Sequence, residues 1–194
     1  KQIRLSEVGA TRSNNDDEVK DMFHIKPTQK VIPDFIECVY NFEPDLILMS
    51  VQEDVFGMAT KLLDSVKDLN IRHILGGILP ISDSSFVIEH ELVNQICIYE
   101  GEGVVEDAIT CLKNNKPLST IKGTWFKDIT GKIHKNPPQP LANIMKVIPD
   151  FDCFEGMRWK RTMGGRIFNR AVAMETYRGC PYNCTYCNSP NTRN

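Results

Sequence analysis

The sequence predicts an α/β fold: a parallel sheet with helices on both faces. Three observations predict it. Short continuous apolar runs recur between about residues 31 and 113, as strands covered on both sides would show. Between them lie segments whose apolar residues repeat at helical spacing. Glycines close the second and third runs, at Gly76-Gly77 and at Gly101 and Gly103. Strands alternating with helices of ten or more residues indicate parallel pairing.

In order along the chain, Ile3 to Val8 is a candidate strand. Phe35, Ile36, Val39 and Tyr40 form one helical face, with Pro33 suited to the first turn. Pro44-Asp45 ends that helix, and Leu46 to Met49 is the first clear strand. Met58, Leu62, Leu63, Val66 and Leu69 make the next helical stripe. Ile71 to Leu75 is a second strand, and Phe86 to Val93 a weaker helix. Ile96 to Tyr99 is a third strand, followed by the helical face Val104, Val105, Ala108, Ile109 and Leu112. That is four strands at best, where about five are usual, so a further strand before residue 1 is expected.

After Pro117 the pattern changes. Thr120 to Phe126 and Lys132 to His134, joined through Asp128 to Gly131, read as a hairpin. Asn136-Pro137-Pro138-Gln139-Pro140 is a stiff connector. Residues 141–168 show no clean period and are read as linker. Ala171 to Thr176 reads as a strand leading into a cysteine cluster.

The chain has 194 residues, which at roughly 150 per domain suits one complete domain plus a piece of another. With 41% hydrophobic and 25% charged residues it can bury a core. The 23 basic and 25 acidic residues leave a charge of −2, so no basic excess points to nucleic acid. No apolar run approaches the length of about 20 residues that a membrane helix needs. Residues 1–17 carry no apolar signal-peptide core.

Of seven cysteines, Cys38, Cys97, Cys111 and Cys153 stand singly, while Cys180, Cys184 and Cys187 fall within eight residues. An odd count with one tight cluster fits an intracellular soft-metal site better than a disulfide framework. The spacing is Cys-x3-Cys-x2-Cys. Three thiolates on one loop can hold three corners of a cubic iron–sulfur cluster and leave the fourth iron open. A zinc site is the alternative, and it would need a distant fourth ligand such as Cys153 or His134.

The segment Arg178-Gly179-Cys180-Pro181-Tyr182-Asn183-Cys184-Thr185-Tyr186-Cys187-Asn188-Ser189-Pro190 resembles the signature of radical S-adenosylmethionine (SAM) enzymes. Its opening and closing resemble the subset with a cobalamin-binding domain upstream. The resemblance implies that Cys180, Cys184 and Cys187 hold a [4Fe-4S] cluster, that SAM chelates the open iron, and that Tyr186 flanks the adenine. Residues 44–109, from PDLILMS through HILGG to YEGEGVVEDAI, resemble that upstream domain, a Rossmann-like, flavodoxin-like fold. By position, Ser50 would hydrogen-bond the nucleotide tail of cobalamin. Gly76 and Gly77 would line the tail cavity, and Gly101, Glu102 and Gly103 would form the last ligand loop. By spacing alone these glycines are equally well simple turn residues.

The resemblance divides the chain into a cobalamin-binding-like domain (1–118), a hairpin and linker (119–168) and the truncated start of a radical SAM barrel (169–194). It implies a cytoplasmic methyltransferase acting on a small-molecule substrate, reduced by a donor such as flavodoxin or ferredoxin, with this fragment inactive alone. No catalytic residue is assigned. None of the four histidines lies in the Asp-x-His-x-x-Gly motif by which many cobalamin domains ligate cobalt. The scattered Cys38, Cys97 and Cys111 argue against a second cluster, and so against the methylthiotransferase branch. Two other functions remain open. One is a radical SAM enzyme whose upstream domain has lost cobalamin and docks a substrate or partner. The other is a non-enzymatic flavodoxin-like binding domain with a zinc tail.

Overall fold

The computed structural model describes residues 30–143, 150, 161–163, 166–168, 178–180, 182 and 184–187. The candidate strands at Ile3 to Val8 and Ala171 to Thr176, and His24, Cys153 and Trp159, lie outside them. By internal contacts the chain divides into two units, 1–35 with 149–178, and 36–148 with 179–194.

Helix α1 (Val31–Phe42) buries Phe35 and Val39, four residues apart on one face. It ends where Glu43 turns left-handed, at φ 47°, with its N–H donating to Val39 O. Strand β1 (Leu46–Ser50) follows, then α2 (Glu53–Ser65) and a 3-10 turn (Lys67–Leu69) stopped by left-handed Asn70. Strand β2 (Arg72–Gly76) leads to two short helices, α3 (Ile78–Ser82) and α4 (Ser84–Glu89). Strand β3 (Gln95–Cys97) leads to α5 (Gly101–Lys113), and a 3-10 turn (Leu118–Thr120) precedes β4 (Thr124–Lys127) and β5 (Ile133–Lys135).

Among the described residues the main sheet has five strands in the order β1-β2-β3-β4-β5. The first three are parallel, with Leu46 to Ser50 set against Arg72 to Gly76, and Leu75 against Ile96. The hairpin β4–β5 joins the same sheet, antiparallel to β3, through Gln95–Phe126, Ile96–Trp125 and Cys97–Thr124. Two strands of this sheet therefore come from the hairpin. Trp125 packs within it, under Lys135 Nζ at 3.8 Å from the ring centre.

Alternation along each strand sends side chains to opposite faces. Ile74 and Cys97 point to the face covered by Val104 and Ala108 of α5, where Leu118 and Ile121 complete the cluster. Ile47, Leu75 and Ile96 point the other way and are buried too. On that side α2 contributes Phe56, Ala59, Leu62 and Leu63. Phe56 meets Phe86 and His90 at ring separations of 5.4 and 5.5 Å, which joins α2 and α4 in one layer. The fold is thus α/β with helices on both faces, as the sequence predicts.

Three differences from expectation have local causes. Helix α2 starts five residues early and stops at Ser65, because its first turn is polar and the chain tightens before Asn70. The helix expected at Phe86 to Val93 runs instead from Ser84 to Glu89, because Asp83 caps it by accepting from Phe86 N at 3.1 Å, and the short helix α3 ahead of it was not expected. In the expected linker, β6 (Arg161–Met163) pairs antiparallel with β7 (Arg166–Phe168). No helix among the described residues is long and apolar enough to cross a membrane.

Candidate functional site

In a parallel sheet, ligands meet the carboxyl ends of the strands. That rim holds the predicted residues of the upstream domain. Ser50 ends β1 beside Gly76, which ends β2, as direct register partners. Ser50 is exposed. Val51 N donates to Gly76 O at 2.8 Å, and Leu79 N donates to Val51 O at 3.2 Å, so β1 and β2 are tied just past their ends.

Gly77 has φ 100°, a region that side-chain-bearing residues avoid. A Cβ there would stand 2.7 Å from both Val51 N and Val51 O and 2.8 Å from Ser50 Oγ. Its glycine is required by backbone geometry. Gly76 is different: a Cβ would meet only Cys97 Cβ, at an ordinary 3.6 Å. Backbone alone therefore does not explain a glycine at 76, and a ligand approaching that surface would.

Past β3, the Cys97 thiol approaches Tyr99 O at 3.4 Å and Glu100 O at 3.8 Å. Burial pushes its pKa up, which keeps it a protonated, inert thiol. Gly101, Glu102 and Gly103 form the first turn of α5, which begins just past β3. The structure so brings Ser50, Gly76 and Gly77 together, and sets the 101–103 turn at the end of β3.

The three described histidines are not rim residues. His73 is second in β2, half-buried, and burial pushes its imidazole pKa down. His90 packs on Phe56, and His134 Nε2 lies 2.7 Å from Asp128 Oδ2 across the hairpin. A cavity of about 570 Å³ opens at the other, amino end of the strands, lined by residues including Asn70, Arg72, His73, Asn94 and Gln95. It holds none of the predicted residues. The topological rule for parallel sheets outweighs size here, and the rim remains the candidate site.

In the cysteine segment, Cys180 is half-buried and Cys184 and Cys187 are exposed, with no disulfide among them. Cys187 N donates to Cys184 O at 3.1 Å, so these two flank one turn. Tyr186, inside it, is 90% exposed and open to a flat ligand. Among the described residues no three His, Cys, Asp or Glu side chains are gathered for a metal ion. As a donor set, three soft thiolates on one short loop fit iron–sulfide chemistry and leave one position open.

Comparisons with known proteins bear on both parts. No family model matches the chain. An uncharacterized methyltransferase of Pyrococcus horikoshii is 27% identical over 163 residues, 80% of this chain and 34% of that protein. The 4'-phospho-dehydrooxetanocin synthase of Priestia megaterium is 27% identical over 166 residues, 80% of this chain and 21% of that protein. Among solved structures, the radical SAM methyltransferase TsrM of Kitasatospora setae, with cobalamin and a [4Fe-4S] cluster bound, gives a TM-score of 0.58 at 18% identity. That match covers 85% of this chain and 34% of TsrM. The cobalamin-dependent radical SAM enzyme OxsB gives 0.51 at 24% identity, covering 61% of this chain and 17% of OxsB. By fold, the chain is similar to cobalamin-dependent radical SAM enzymes. It spans about a third or less of the length of the curated relatives it matches.

The sequence reading missed two features, the first of them at the rim. The connector after β5 folds back onto it: Gln139 Nε2 donates to Asp107 Oδ2 at 3.1 Å, and Ala142 N to Glu100 Oε2 at 2.6 Å. A buried polar group supports β4: Gln95 Nε2 donates to Leu118 O and Thr124 Oγ1, at 2.8 and 3.1 Å. Thr124 Oγ1 donates to Ile121 O at 2.7 Å, and Asn136 Nδ2 donates to Thr124 Oγ1 at 3.1 Å. Nothing in local spacing announces either.

Proposed function

We propose that the chain is the cobalamin-binding domain and the opening of the catalytic domain of a cobalamin-dependent radical SAM methyltransferase. The observation that carries this reading is the order of two independent features. A sheet rim with a free-standing glycine at 76 precedes a Cys-x3-Cys-x2-Cys loop. Cys180, Cys184 and Cys187 would hold the cluster through three irons, and Tyr186 would flank the adenine of SAM. Ser50 would hydrogen-bond the corrinoid tail, Gly76 and Gly77 would let it approach backbone, and Gly101, Glu102 and Gly103 would close the last loop. When bound, the cluster supplies one-electron cleavage of SAM and the corrinoid supplies a transferable methyl group. The chain's own part is to bind, orient and shield these groups. The substrate class is a small molecule, the electron donor is a protein such as flavodoxin or ferredoxin, and the setting is cytoplasmic. The 194-residue piece has no turnover of its own.

Two measurements test the reading. Anaerobic reconstitution of the full parent protein should give about four irons and four sulfides per chain. The variant with Cys180, Cys184 and Cys187 all changed to Ala should give none. Stoichiometric zinc in place of iron defeats the cluster assignment. Hydroxocobalamin should bind with a change in its visible spectrum. An iron-loaded protein that leaves that spectrum untouched would instead favour an upstream domain that only docks a substrate or partner.

A further inference from the structure

Strand β5 returns the chain to the rim, and the connector that follows is pinned there. Gly123 N donates to Pro137 O at 2.7 Å, and Asn136 N donates to Thr124 O at 3.0 Å. Further on, Ala142 N donates to Glu100 Oε2, so the connector bonds directly to the residue that precedes α5. Between these anchors the Gln139 side chain fills a slot between two glycines. A Cβ at Gly103 would stand 2.5 Å from Gln139 Nε2 and 2.9 Å from its Cγ. A Cβ at Gly123, where φ is 73°, would stand 2.9 Å from Gln139 Cβ. Gly103 is thus not merely a turn residue; it is the floor of the Gln139 slot.

The amide in that slot is oriented. Its Nε2 donates to Asp107 Oδ2, and reversing it would set an oxygen against that carboxylate. Its Oε1 is buried and has no hydrogen-bond partner among the described residues. An orphaned acceptor weakens the docked state relative to a fully paired one. The connector is therefore specific in position and releasable.

We propose that Gln139 is a positioning residue for the rim site. Wedged between Gly103 and Gly123, it holds the Glu100–Gly103 turn in the shape that receives the corrinoid, and withdrawal of the connector lets that turn open. This rests on the corrinoid reading of the rim. Because the connector leads on in sequence to the cysteine segment, ligand binding at the rim and the set of that connector become linked quantities.

The test uses Gln139→Glu, Gln139→Ala and Gly103→Ala in the full chain, with two readouts. Gln139→Glu keeps the bulk but faces Asp107 with an oxygen. Without ligand, hydrogen exchange follows the Gly123 and Ala142 amides, which hold the connector, and the β1–β2 amides, which report the sheet. With ligand, hydroxocobalamin is titrated by its visible spectrum. Expected in Gln139→Glu is exchange at Gly123 and Ala142 about tenfold faster and a Kd about tenfold higher, the scale of one lost hydrogen bond. The β1–β2 amides stay protected. Gly103→Ala should behave alike, and adding Gln139→Ala to it should cost less than the two single changes summed, since the clash is then gone. Should Gln139→Ala melt the sheet, Gln139→Glu carries the test. Freed connector amides with a Kd within twofold of wild type overturn the positioning role while leaving the corrinoid reading intact. Unchanged amides in every variant also overturn it. A wild-type chain that binds no hydroxocobalamin overturns the corrinoid reading, and this inference with it.

Discussion

Gly76 and Gly77 are neighbours, yet alanine should do opposite things at the two positions. At Gly77 the backbone sits at φ 100°, where a non-glycine residue costs about 1–3 kcal/mol. The added Cβ would also lie 2.7 Å from Val51 N and O, both main-chain atoms in the tie between β1 and β2. Forcing them apart costs about another 1–3 kcal/mol. Together that is roughly 2–6 kcal/mol, a large share of the 5–15 kcal/mol that holds a typical domain. At Gly76 the methyl would make an ordinary contact with Cys97 Cβ at 3.6 Å. Removing glycine's entropy cost in a strand returns about 0.5–1 kcal/mol, so the fold should be unharmed or slightly firmer. The methyl would nevertheless stand where the proposed ligand tail lies. An overpacked methyl costs about 1–3 kcal/mol, or roughly 5- to 150-fold in Kd. The assay is a urea melt beside a hydroxocobalamin titration for both variants. Gly77→Ala should melt early, and Gly76→Ala should melt normally but bind poorly. A Gly76→Ala protein that binds as tightly as wild type refutes the argument that ligand approach explains this glycine. A Gly77→Ala protein of normal stability refutes the backbone argument.

Three further outcomes are expected. Thr124→Val should lower stability by about 1–3 kcal/mol in urea, because Gln95 and Asn136 both donate to the Thr124 hydroxyl and lose that acceptor; an unchanged midpoint would mean that these donors find other acceptors. The Asp128 carboxyl is held well below its usual range by hydrogen bonds from Thr130 and His134. Its contribution to the hairpin is therefore complete above the unfolded pKa of about 3.9 and is lost as pH falls towards the lower folded value. Asp128→Asn should remove that part of the acid dependence, read as hydrogen exchange of the Thr130 and Lys132 amides from pH 2 to 6, and identical profiles would contradict it. In metal-free native protein, iodoacetamide should modify exposed Cys184 and Cys187 well before buried Cys97; mass mapping that finds Cys97 labelled as fast would show the α5 face of the sheet to be open.

The β-α alternation was legible because continuous apolar runs and helical stripes are local signals. Leu46 to Met49 and the stripe through Met58, Leu62 and Leu63 sit in the elements predicted for them. Element ends were less legible, because they depend on single backbone choices such as left-handed Asn70 and the Asp83 cap. The β6–β7 pairing was readable in principle: Gly164-Gly165 separates Arg161–Met163 from Arg166–Phe168, and a glycine pair between two such runs signals a hairpin. The sequence pointed to the glycines of the rim but did not tell Gly77, which the backbone requires, from Gly76, which it does not. That distinction needs φ and the neighbours across the strands. The Gln139 slot was not legible at all, since Gly103, Gly123 and Gln139 become neighbours only once α5, β4 and the connector are assembled.

The antiparallel pair at the end of the sheet has a practical corollary. β4 descends from beside Cys97 to beside Gln95, and β5 climbs back. The bend at Asp128–Gly131 consequently sits at the far end from Ser50 and Gly76. Ile129 at its tip is fully solvent-exposed. A fluorophore or a short peptide tag spliced in there would report on the molecule from its quiet side.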